Sequence, residues 1–215
     1  MAHPATLFVV DGDATSRDAV CTLASAMGLG FMAYESVGAF LQQCRDKPGC
    51  LVADLPMTAE GGAELQDQLR RRGISAPVIF LAQKPPIHLV VQAIKAGAVT
   101  VVAKPWDNGQ VELAIREGLA LDAQRRAARR RRDEFQARLA GLTEKEREVL
   151  RMMMAGKANK TMATELGASL RTVENRRRSV FTKLDVHSVA ELVAAVLQAD
   201  EPLNHDGTTV TTSHS

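Results

Sequence analysis

The sequence predicts an α/β domain on a five-stranded parallel sheet, followed by an all-α domain of four short helices. Three observations carry this. In the front half, five short apolar runs alternate with helix-patterned stretches. In the rear half, glycines and capping residues cut a helical stretch into four pieces. The charge also changes sign. Residues 1–120 hold ten Lys/Arg against twelve Asp/Glu, and the remainder holds seventeen against thirteen.

The apolar runs are residues 7–10, 30–34, 51–53, 78–81 and 99–103. They are too short and too continuously apolar to alternate inward and outward, as expected of strands covered on both faces. Helical patterns occupy 16–27, 37–43, 63–72 and 87–96, with 110–121 after the last strand, and Ser36 is placed to cap the second. Five βα units imply a parallel sheet whose chemistry gathers beyond the strands' carboxyl ends. Those ends bring Asp11, Asp13, Asp54, Ala82 and Lys104 together. Three carboxylates and a lysine form a constellation rather than background.

Composition narrows the setting. Aromatics are only 4%, so the cores must come from Leu, Val, Ile, Ala and Met. Cys21, Cys44 and Cys50 are odd in number and lack a C-x-x-C, which argues against a disulfide framework or zinc site and for a reducing cytoplasm. Buried free thiols are the reading for Cys21 and Cys50. The first residues do not form a signal peptide and no window is apolar enough to span a membrane, so a cytoplasmic protein is expected.

From residue 110 to 139 the pattern stays helical and turns polar, with Arg125, Arg126 and four arginines at 129–132. Asp122 with Arg126, Arg129 with Asp133 and Arg130 with Glu134 have i, i+4 spacing. The stretch reads either as a solvated connecting helix or as a DNA-contacting arm. Residues 200–215 carry no periodic apolar pattern and are expected to be a disordered tail. The divisions are therefore 1–121, a helical linker 122–140, a helical domain 141–199, and the tail.

In the helical domain, Thr143 with Glu146 makes a capping box, and Gly156 closes that helix. Asn159 is a cap candidate for the second helix, which Gly167 closes. Ser169 or Thr172 opens the third, running to Leu184, and Ser188 with Glu191 opens the fourth. The third helix puts Val173, Val180 and Leu184 on one stripe. Glu174, Asn175, Arg176, Arg177, Arg178 and Lys183 occupy the rest. A helix buried on one stripe and basic elsewhere, after a tight turn, fits a recognition helix in a major groove of double-stranded DNA.

The front half, with FVVDGD, LVADLPMTAEGG, VIFLAQ and KAGAVTVVAKPW, resembles a response-regulator receiver domain over residues 7–121. That resemblance implies a doubly wound, flavodoxin-like fold with Asp54 as phosphoacceptor. It implies Mg²⁺ on Asp11 and Asp54, Lys104 against the phosphoryl group, and a sensor histidine kinase as partner; Asp13, displaced by one position, is either a further candidate ligand or the cap of the following helix. A phosphoryl group on a carboxylate concentrates negative charge, which a hard dication and a lysine neutralise. Several positions depart from the family pattern. Gly12 replaces the second acidic residue and weakens the metal site, Ala82 replaces the hydroxyl after the fourth strand, and Val101 replaces the switch aromatic. Met57, Thr58 and Ala59 replace the usual Met-Pro-Gly run. Two readings stand: a receiver phosphorylated on Asp54, or a phosphorylation-independent dimerisation or docking module.

The rear half, with LTEKEREVL, Asn159 and Lys160, LGASLRTVE and KLDVHSVAELV, is similar to the LuxR-type helix-turn-helix of the FixJ/NarL family. By that resemblance, Glu174, Asn175 and Arg178 face base edges, while Lys160, Thr172, Arg176 and Lys183 hold phosphates. The implied protein is a transcription regulator that acts as a homodimer when active, with no enzymatic role beyond self-phosphorylation. A phosphohydrolase using Asp11, Asp13 and Asp54 lacks a second phosphate-binding motif and an activating base.

Overall fold

A computed structural model describes residues 5–54 and 61–200. The run 57–59 and residues 201–215 of the expected tail lie outside the described residues. The chain divides into two compact units, one ending at Arg126 and the other beginning at Ala127.

The front unit contains β1 (Thr6–Val10), α1 (Ala14–Ala26), β2 (Gly30–Tyr34), α2 (Val37–Gln43) and β3 (Gly49–Asp54). It continues with α3 (Gly61–Arg71), β4 (Val78–Gln83), α4 (Ile87–Lys95), β5 (Thr100–Lys104) and the start of α5 (Asn108–Ala140). The strands are all parallel in the order β2-β1-β3-β4-β5. Alternate residues feed two cores. Phe8, Val10, Leu51, Ala53 and Phe80 pack with Phe40, Leu65 and Leu69 on one face. Leu7, Val9, Val52, Ile79 and Leu81 pack with Val20, Leu23, Val111 and Ile115 on the other. A doubly covered parallel sheet is what the continuous apolar runs required.

Helix α5 is one unbroken helix of 33 residues. Residues 119–140 contain no Gly or Pro and are rich in the strong helix formers Ala, Arg and Leu, so nothing interrupts it before Gly141. Within the stretch 122–140, residues 122–126 fall in the front unit and 127–140 in the rear one. Asp122 is buried at 2% exposure, and one of its oxygens accepts from Gly49 N at 2.8 Å. Farther along, Phe135 and Leu139 join the rear core.

The rear unit adds α6 (Glu144–Met154), α7 (Asn159–Glu165), α8 (Leu170–Leu184) and α9 (Val189–Asp200). Val149, Met153, Met162, Val173, Val180, Leu184 and Leu192 form its core. The Thr143–Glu146 capping box is present, and Ser169 caps α8 by accepting from Thr172 N. The expected Asn159 cap is corrected. Ala158 occupies the cap position without a side-chain bond, because the Asn159 side chain is taken by Arg177. Gly156 and Gly167 take φ of +70° and +56°, the left-handed turn that ends a helix cheaply only in glycine.

Candidate functional site

The first site lies at the carboxyl edge of the sheet. The chain leaves β1 toward β2 on one side and returns as β3 on the other, so Asp11 and Asp54 flank the point where strand order reverses. Lys104, at the end of β5, reaches both. Its Nζ donates to Asp54 Oδ2 at 2.7 Å and to Asp11 Oδ2 at 3.3 Å. Asp11 is 1% exposed, whereas the Asp54 side chain is 27% exposed. The accessible carboxylate is therefore Asp54. Burial pulls the Lys104 ammonium pKa down, but bonds and charges from Asp54 and Asp11 together outweigh it and raise the value.

Asp13 does not join them. Its Oδ1 accepts from Thr15 N at 3.1 Å and caps α1, starting that helix two residues earlier than its apolar pattern suggested. Its backbone N–H instead donates to Asp11 Oδ1 at 2.8 Å, steadying that carboxylate. Of the two readings of Asp13, the structure shows the helix cap. Gly12 is open. A Cβ there would meet nothing nearer than Glu35 O at 3.8 Å, so no backbone crowding demands glycine. Ala82 is 1% exposed at the end of β4, and Val101 packs half-buried against the sheet core. Among the described residues, no group of three His, Cys, Asp or Glu is arranged to hold a metal.

The second site is the surface of α8. Arg171, Glu174, Asn175, Arg178 and Thr182 are exposed, opposite the buried stripe of Val173, Val180 and Leu184. Lys160 is exposed in the first turn of α7, and Arg176 is half-buried. Two further residues of the helix have side-chain partners within the unit while staying at least partly exposed. The Thr172 hydroxyl lies 2.8 Å from Ser169 Oγ. Lys183 Nζ donates to Glu146 Oε2 at 2.7 Å, with its side chain 40% exposed.

Glu146 was legible only as a capping residue, yet it ties α6 to α8. It accepts from Thr143 N at 2.8 Å, from Ser179 Oγ at 2.6 Å and from Lys183. The Lys183 and Ser179 bonds, with those from Thr143, hold its pKa down to about 2 against the opposing effect of burial. Arg177 also has a place that its position in a basic run did not reveal. It donates to Asn159 Oδ1 at 2.7 Å and lies 5.9 Å from the Phe181 ring centroid. These groups and Arg178 line a cleft of about 540 Å³ beside the exposed face.

Comparison with known proteins agrees with both halves. Residues 7–116 match the response regulator receiver domain, and residues 140–196 match the bacterial regulatory proteins of the luxR family. The chain is 36% identical over 201 residues to the transcriptional regulatory protein FixJ of Azorhizobium caulinodans, covering 93% of this chain and 95% of that protein. It is 33% identical over 188 residues to the response regulator protein TodT of Pseudomonas putida, covering 87% and 83%. The low-resolution structure of the response regulator StyR superposes with a TM-score of 0.78 at 35% identity, covering 91% and 100%. Full-length FixJ from B. japonicum gives 0.53 at 28% identity, covering 93% and 98%. A parallel sheet with an Asp–Lys–Asp cluster at its switch point, joined to a helix-turn-helix unit, is thus matched along nearly its whole length: the chain belongs to the FixJ-type response regulators, DNA-binding transcriptional regulators of two-component systems.

Proposed function

We propose that this regulator accepts a phosphoryl group on Asp54 from a sensor histidine kinase, and that its acylphosphate state favours a homodimer reading two DNA half-sites. The observation that carries this is Lys104 Nζ bridging Asp54 at 2.7 Å and Asp11 at 3.3 Å, with Asp54 the carboxylate open to solvent. Mg²⁺ is a hard ion content with one or two carboxylates and several waters, so the oxygen donors of Asp11 and Asp54 fit it. Bound there, it supplies positive charge that neutralises the incoming phosphoryl oxygens. The chain's own part is to present the Asp54 oxygen, hold Lys104 beside it, and keep Asp11 buried and oriented by the Asp13 N–H.

In the rear unit, Glu174, Asn175 and Arg178 are proposed to read base edges. Glu accepts from the cytosine amino group, Asn pairs with adenine, and Arg pairs with guanine. Lys160, Thr172 and Arg176 are proposed to hold phosphates, with Lys183 acting mainly through Glu146. The absence of a membrane-crossing helix among the described residues is compatible with a cytoplasmic setting.

A second reading has its own support. Ala82 offers no hydroxyl to a phosphoryl oxygen, Val101 is no switch aromatic, and Asp13 is spent on a cap. These favour a phosphorylation-independent regulator whose receiver is a dimerisation or docking module. Incubation with acetyl phosphate and Mg²⁺, followed by intact mass and sizing, separates the two. The proposed function expects a phosphoryl mass gain that Asp54→Ala abolishes. No gain with DNA binding intact establishes the second reading.

A further inference from the structure

We propose that Arg130, Arg131 and Arg132 on α5 form a second, sequence-independent DNA contact that grips backbone phosphates beside the base-reading helix. This rests on the DNA-binding reading of the rear unit. The three arginines lie within that unit, which begins at Ala127. Their helix is anchored to it a turn farther on. Phe135 and Leu139 are in the core, Gln136 Nε2 donates to Ala199 O at 3.2 Å, and Arg138 Nη1 donates to Leu184 O at 3.3 Å.

The anchoring ties the cluster's helix to the end of α8. Arg138 meets the last residue of α8, and the arginines stand six to eight residues upstream on the same helix. At the α-helical rise this is about 9–12 Å along the axis, comparable with a major-groove width of about 12 Å.

The charges are also left open. Among the described residues, none of the three takes part in a hydrogen bond or ion pair, and the expected Arg130–Glu134 pair is not formed. Successive residues turn by about 100°, so the three guanidinium groups span about 200° of the helix. That spread suits a continuous polyanion, where each arginine can find a phosphate, better than an acidic protein surface read from one side. The unit is basic as a whole, with residues 127–200 holding fifteen Lys/Arg against ten Asp/Glu.

The test compares the full chain with an Arg130→Ala, Arg131→Ala, Arg132→Ala triple variant, alanine preserving the helix. Affinity for a random-sequence duplex of about 30 base pairs is titrated from roughly 50 to 200 mM salt, with circular dichroism confirming equal helicity. The slope of log affinity against log salt is expected to flatten by about 2–3, close to 0.9 for each phosphate no longer neutralised. The triple lysine variant is expected to keep the parent slope, since charge rather than fork geometry carries the contact. An unchanged slope in the triple alanine variant overturns the proposal, whether or not transcription from a promoter then fails for want of a protein partner. Failure of the parent chain itself to bind the duplex at low salt defeats the underlying DNA-binding reading instead.

Discussion

Arg126 joins two stretches of chain eighty residues apart: its guanidinium donates to Asp46 at 3.1 and 2.9 Å and, through Nε, to Asp122 at 2.9 Å. It also donates to Lys47 O at 2.7 Å. The side chain of Asp122 is 4% exposed, and burial raises its pKa despite the Gly49 and Arg126 bonds. Removing the arginine strands that carboxylate. Arg126→Ala is expected to destabilise the front unit by about 3 kcal/mol, measured by urea denaturation. Lys at this position should recover only part, because it keeps the charge but not the planar fork. Equal stability of Arg126→Ala and the parent would show that this cluster holds nothing in place.

Gly49 sits beside that cluster with φ of +149°, and a Cβ there would lie 1.8 Å from Thr6 O. The clash is with backbone of β1, which cannot move without opening the β1–β3 ladder. Gly49→Ala should therefore cost at least about 2 kcal/mol and lower the thermal midpoint. A neutral outcome would mean the two strands can separate at that end.

The Glu146 carboxyl, held down to about 2, makes the rear unit acid-sensitive over a defined window. A depressed folded value stabilises above the unfolded value of 4.5, and that contribution is lost as pH falls toward about 2. Glu146→Gln should cost about 1.5 kcal/mol at neutral pH, a modest figure because Lys183 is 40% exposed. The stability gap between parent and variant should stay constant above pH 4.5 and shrink below it. A gap independent of pH throughout would assign the loss to packing rather than to the charge.

Ala82 stands where relatives of this type are expected to carry a hydroxyl. Ala82→Ser buries that group at a cost of about 1 kcal/mol. It is expected to increase the fraction of dimer after acetyl phosphate treatment, measured by sizing chromatography, and to have no effect in an Asp54→Ala background. An increase that persists without Asp54 would detach the hydroxyl from phosphoryl sensing.

On the DNA face, Arg178 and Lys160 should fail differently. Arg178→Ala is expected to lose about 1–3 kcal/mol and to relax preference at one base position in a randomised-site selection. Lys160→Ala should weaken all sequences alike and flatten the salt slope by about 1. If Arg178→Ala leaves the selected site unchanged, α8 does not read bases as proposed.

The sequence by itself determined the layers. Runs such as 51–53 and 78–81 are apolar on every residue, so only a sheet covered on both faces can bury them, and five parallel strands followed. It likewise determined the buried stripe of α8 and the Thr143–Glu146 box, because both depend on spacing along one helix. Tertiary structure alone decided where competing polar groups spend their bonds. Asp13, adjacent to Gly12, had equal claim to a metal and to a helix end, and the N–H of Thr15 took it. Asn159 left its cap for Arg177, Lys183 turned to Glu146, and Asp122 sank against Gly49. A hydrogen-bonding side chain several residues or a whole domain away in sequence leaves no periodic trace, so these pairings emerge only when the fold brings donor and acceptor within about 3 Å.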